Sequence, residues 1–462
     1  MSGKCRPLIL LAALFGVIQA SESVAQTPGS QGSRRNAALA TKVGFVPKHL
    51  QVQRQNRAAL DAVNFDPQVK PASHIAGEPQ FLGTGCDSGA CGSGCGGSCG
   101  GGCCGAPGWP GPVLYGRIEY LLWSTKEMES PALVTTSLPG TAQEQAGVLG
   151  QASTSTLFGG DGLTDEMRSG GRFILGLWVD ASRQVGIEFT HTALEEEVES
   201  FSASNFDESI VARPFFNLSL GEEDSRLIAF PSLVNGTVDV SATTEFQTFD
   251  ITRRKAYVRD CATQIDHFIG YRYAELKDSV RIGESTISLA DPTTDTAFRL
   301  FDQFRTTSEF YGGVTGLRIR RQHTPQWSVE LLGKVGLGNT RSRLSVDGAT
   351  TTTNPDGTRS TRSGGVLTQE SNIGNIEDNE FSNFSELGIS LHHQMNCGVK
   401  CYVGYSFMYW SDVLRAGNSI DSVLNPTQIP PNQLVGDARP AAAIDYDSFY
   451  AQGLRLGLEF GY

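Results

Sequence analysis

The last ten residues confine the fold more than any other feature: Leu454, Leu456, Leu458, Phe460 and Tyr462 alternate with Gly453, Arg455, Gly457, Glu459 and Gly461. A period of two belongs to β-strands, whose successive side chains point to opposite faces. Three further stretches alternate in the same way. Phe173, Leu175, Leu177 and Val179 oppose Arg172, Ile174, Gly176, Trp178 and Asp180; Trp327, Val329, Leu331, Val335 and Leu337 oppose Ser328, Glu330, Lys334 and Gly336; Cys401, Val403, Tyr405, Phe407 and Tyr409 form one face of residues 400–410. A soluble sandwich also alternates, but its exposed faces are rich in Thr, Lys and Glu. Here the second face holds small residues and isolated charges, with aromatics near the strand ends, as a barrel lumen and an interfacial girdle require. Outside the extreme N-terminus no apolar run is long enough for a membrane helix, which excludes a polytopic helical protein.

Connection lengths point the same way. Short connections at residues 181–183, 321–325 and 392–399 alternate with long polar ones at 126–169, 341–380 and 411–447. Outer-membrane barrels have short periplasmic turns and long outer loops. Weaker strand candidates at 236–242, 245–254, 264–275, 280–289 and 312–320 bring the number to about twelve. An even number puts both ends of the barrel on the periplasmic side and every long loop outside. The expected fold is all-β: an antiparallel transmembrane β-barrel of about 12 strands over residues 113–462, behind a disordered N-terminal tail. The alternating close at Leu454, Leu456, Leu458, Phe460 and Tyr462 reads as the signal that the barrel assembly machinery captures by edge pairing.

The N-terminal quarter has a different texture. Lys4 and Arg6 precede an apolar run over residues 8–18, and Ser23 and Ala25 supply small residues at a cleavage site, so residues 1–25 read as a secretory signal peptide. Residues 26–112 show no sustained strand or helix period and read as a flexible low-complexity tail. Within it, the Cys/Gly-rich segment 85–105 holds Cys86, Cys91, Cys95, Cys99, Cys103 and Cys104. Export to an oxidising compartment permits disulfides within the chain or to envelope partners. The spacing lacks the C-x2-C knuckles of zinc modules, and a passive linker is the other alternative. The tail carries seven Lys/Arg against four Asp/Glu while the whole chain is formally −12, so the body is acidic and unsuited to nucleic acid.

Within the strands lie Arg117, Glu119, Arg172, Glu188, Arg272, Glu330, Lys334, Arg455 and Glu459. A charge on the lipid face costs roughly 2–4 kcal/mol near the midplane, so these nine are expected to face the lumen. There they either set the field of a pore or pair across the interior and fill it. No catalytic or metal-binding constellation stands out: the seven His are dispersed, H-E-x-x-H and G-x-S-x-G are absent, and His392-His393 reads as an exposed pair in a turn. No enzyme activity and no cofactor are expected.

Several blocks in order carry a family resemblance: residues 117–123 (RIEYLLW), 170–176 (GGRFILG), 186–189 (GIEF), 212–216 (ARPFF), 270–273 (GYRY), 310–313 (FYGG), 404–410 (GYSFMYW) with Val413 and Arg415, and the close at 453–462. In these the chain resembles the putative outer-membrane β-barrel porin family of planctomycete bacteria. The resemblance implies a barrel in the bacterial outer membrane, with outer-membrane lipids as its surroundings. Passive or weakly selective passage of small hydrophilic solutes is the expected role. The alternative is a non-conducting structural barrel that anchors the envelope or displays surface loops.

Overall fold

The computed structural model of the chain describes residues 114–461 apart from 165, 181, 205–209, 261 and 397. The expected signal peptide, the tail with its six cysteines, and Tyr462 lie outside the described residues.

The alternating stretches form ten antiparallel strands: β1 (Leu114–Thr125), β2 (Arg168–Trp178), β3 (Val185–Leu194), β4 (Val234–Arg259), β5 (Thr263–Ser288), β6 (Ala297–Gln322), β7 (Trp327–Thr353), β8 (Gly374–Asn396), β9 (Val399–Leu414) and β10 (Tyr446–Gly461). Each pairs with the next, and β1 closes the ring on β10, from Tyr115 opposite Gly461 to Thr125 opposite Ala451. Closure satisfies the backbone groups of every strand inside the wall, which a lipid environment demands. The sheet as a whole has twelve strands, because Glu197–Ser204 also pairs with β4 and Arg359–Ser363 with β7.

The ring has ten strands because two pairs of sequence candidates fuse. Residues 236–242 and 245–254 are parts of β4, and 264–275 and 280–289 are parts of β5. The outward face changes chemistry midway along these strands, which mimics a break. On β5 it runs Ile269, Tyr271, Tyr273 and then Glu275, Lys277; on β7 it runs Leu331, Val335, Leu337 and then Asn339, Arg341, Arg343. The apolar stretch of β7, residues 327–337, rises about 24–28 Å along the axis at the usual strand tilt, enough to match an apolar band about 25 Å tall. The same strand continues to Thr353, so the long connection expected at 341–380 is largely strand standing in water beyond the apolar belt.

Four short connections (179–184, 260–262, 323–326 and 397–398) and both chain ends of the barrel share one end. The other end receives the five remaining connections, and three of these send strands back inside the wall. They supply a second sheet in the order Glu222–Ala229, Ile210–Asn217, Ala132–Ser137, Thr154–Gly159, with Val423–Leu424 parallel to Ile210–Asn217. Its apolar side chains, among them Val134, Phe158, Val211 and Phe215, form one core with the inward Val238, Val240, Ile282, Phe304, Leu344 and Val346 of the wall.

Candidate functional site

The inward positions of the belt carry the chemistry. All nine charges expected in the lumen lie there, and their partners fix how the interior is used. Both Nη atoms of Arg117 donate to Glu330, at 2.8 and 2.9 Å, and its Nε lies 3.0 Å from Glu459. Glu188 accepts from both Nη atoms of Arg318, at 3.0 and 2.9 Å, and from the Tyr115 hydroxyl at 2.8 Å. Asp250 accepts from Arg272 at 2.6 and 2.7 Å and from Lys334 at 3.0 Å. Arg272 and Arg172 share Glu386, at 2.8 and 3.1 Å. Glu119 accepts from the Tyr402 hydroxyl at 2.7 Å, with Arg172 and Arg455 at 3.6 and 3.5 Å.

Several of these pairs are chords. Arg117 on β1 meets Glu330 on β7, Arg172 on β2 meets Glu386 on β8, and Arg318 on β6 meets Glu188 on β3. Partners three or four strands apart around the ring touch only across the interior, so the guanidinium and carboxylate groups occupy the lumen itself. Arg117, Glu119, Arg172 and Glu330 are 3, 2, 2 and 1% exposed, which leaves no water-sized passage beside them. Bidentate arginines suit such a bed, since their planar fork matches a carboxylate and they remain charged when buried.

Sequence reading missed Tyr115, Asp250, Arg254, Asp266, Arg318, Arg320, Glu386 and Tyr402 as members of the bed. Strand parity could have found several: Asp250, Thr252 and Arg254 alternate with Phe249 and Ile251. The tyrosines needed a subtler signal. Tyr115 lies over Gly176 and Tyr402 over Gly457, where an added Cβ would meet the ring at 1.9 and 2.2 Å, so the lumen glycines are slots for rings on neighbouring strands. His392 is also corrected: β8 runs on to Asn396, and the imidazole is buried in the lumen, its ring 4.4 Å from that of Tyr402.

Above the ionic bed, toward the loop end, lies an apolar layer. Trp123, Phe310, Phe384, Trp410 and Phe449 are at most 1% exposed. Ring centroids of Phe384 and Trp410 are 5.5 Å apart, and those of Phe246 and Phe449 4.9 Å. The Trp410 indole N–H donates to the Thr340 hydroxyl at 2.9 Å. Next comes Arg415, fully buried against Asp278 at 2.5 Å, and then the inner sheet. There Arg213 donates to Asp302 at 2.6 Å and lies 3.4 Å from Glu284. Burial alone would lower the Arg213 pKa; the two carboxylates outweigh it and raise it. Asp302 also accepts the backbone N–H groups of Val366, Leu367 and Thr368 at 2.9–3.1 Å, which holds the β7–β8 connection inside the wall.

The family described as "Putative beta barrel porin-7" matches residues 115–462. No curated protein sequence matches. Among solved structures, the outer membrane protease OmpT of Escherichia coli is 9% identical with a TM-score of 0.35, covering 76% of this chain and 96% of that one. A FadL homologue of Pseudomonas aeruginosa is 7% identical (TM-score 0.19; 76% and 89% covered), and an anion-selective porin of Comamonas acidovorans 9% identical (TM-score 0.13; 76% and 98% covered).

Proposed function

Since the chain belongs to this β-barrel porin family, we propose that it is a bacterial outer-membrane barrel whose interior is sealed, exported by its N-terminal signal and oriented with the short turns in the periplasm. On this reading it anchors a rigid, sheet-filled platform at the cell surface. The observation that carries the proposal is the set of ion pairs across the lumen, stacked under an aromatic layer and the inner sheet. A pore wall lined with charge would keep its arginines hydrated along the perimeter; here Arg117, Arg172, Arg272 and Arg318 meet carboxylates on the far side.

The family description favours a second reading, passive passage of small hydrophilic solutes, which requires the bed to rearrange. Liposome swelling separates the two. Vesicles carrying the folded chain should swell in a small sugar no faster than empty vesicles. Swelling at the rate of a general porin would overturn the sealed barrel and leave passive passage standing.

A further inference from the structure

The lipid-facing side of β4 carries two cations. Its outward positions run Phe249, Ile251, Arg253, Lys255. The register sets Arg253 between Ile187 on β3 and Ile269 on β5, and Lys255 between Val185 and His267. Ile187, Ile251 and Ile269 are 38, 40 and 51% exposed, so the row belongs to the apolar belt. Among the described residues neither cation makes an ion pair, whereas Arg254 between them turns inward to Asp266 at 2.5 Å. The Lys255 Nζ lies 5.2 Å from the ring centroid of Tyr257, and the His267 ring is 5.7 Å from the same ring.

Depth identifies the counter-charge. Lys255 is level with Val185, the first residue of β3, so the cluster sits at the short-turn margin of the belt, where lipid headgroups begin. Two cations two residues apart on one strand face are about 7 Å from each other. Left alone they repel, in surroundings that stabilise charge poorly. Snorkelling toward water would drive Arg253 past Lys255 and keep that repulsion. A phosphate between them removes it, and both guanidinium and ammonium groups bind phosphate well.

We propose that Arg253 and Lys255, flanked by Tyr257 and His267, form a seat for the phosphate of an anionic glycerophospholipid in the leaflet at the short-turn end. This rests on the reading of the chain as a membrane-spanning barrel, and the test separates the two. The full chain is folded into nanodiscs of equal parts phosphatidylcholine and phosphatidylglycerol, and the lipid retained on release is counted by native mass spectrometry. Retained lipid should favour phosphatidylglycerol on the order of tenfold, given the attraction of two cations near the surface. The variant Arg253→Gln/Lys255→Gln should retain the bulk mixture. Equal enrichment in variant and wild type, or none in wild type, overturns the seat. Heat-modifiable migration of the same samples reports the barrel: its absence counts against the spanning reading, not the seat. Should the double variant not fold, a salt series on the wild type decides, because enrichment that persists unchanged from about 0.1 to 1 M salt is not electrostatic.

Discussion

Glu330 is the carboxylate on which the sealed interior depends most. It accepts two hydrogen bonds from Arg117 at 2.8 and 2.9 Å and two from Arg320 at 2.7 and 3.1 Å, with the Arg318 Nε 3.7 Å away. Glu330→Gln keeps the size and removes the charge. Breaking a buried ion pair costs about 3–5 kcal/mol, because the partner is left desolvated and uncompensated. Arg117 and Arg320 both retain Glu459, at 3.0 and 2.6 Å, so the lower value applies, about 3 kcal/mol. That is on the order of a hundredfold in the unfolding equilibrium. Denaturant unfolding of the barrel in lipid vesicles, followed by tryptophan fluorescence, measures it. Glu377→Gln is the control: its carboxylate meets Arg341 and Arg343 on the outer surface in water, and its loss should leave the midpoint where it was. A midpoint equally unmoved by Glu330→Gln would refute the reasoning, since only a water-filled lumen would solvate the arginines that lose this partner.

The other layers make separate demands. Trp410→Ala should destabilise the barrel by about 3–5 kcal/mol in the same assay, since it empties the centre of the aromatic layer and strands the Thr340 hydroxyl. Gly457→Ala places a methyl group 2.2 Å from the Tyr402 ring; it should cost about 1–3 kcal/mol and loosen the Tyr402–Glu119 hydrogen bond, read as altered fluorescence or hydrogen exchange around β10. Asp302→Asn removes the charge that gathers Arg213 and the amides of residues 366–368, so hydrogen exchange there should rise while the ring keeps its heat-modifiable migration.

Parity of side chains was the legible part of the fold. The rows ending in Leu454, Leu456 and Leu458 face outward, and the lumen charges follow from the cost of placing Arg172 or Lys334 against lipid. Strand ends were less legible, because the outward face of β5 becomes polar at Glu275 where the strand leaves the belt, not where it stops. The inner sheet could not be read at all from periodicity. The strand Ile210–Asn217 is buried on both faces, so its residues show no alternation, and its partners come from connections far apart in the chain. Pairing across the lumen was equally hidden: which carboxylate Arg117 meets depends on the number of strands in the ring and their stagger, neither of which is local.

Single-channel recording in a planar bilayer tests the central claim most directly, using the detergent-folded chain with and without residues 26–112. A barrel filled by cross-lumen ion pairs, an aromatic layer and an inner sheet should stay silent in both forms. Steady conductance steps from the shortened chain, whose barrel carries the whole seal, would contradict the account.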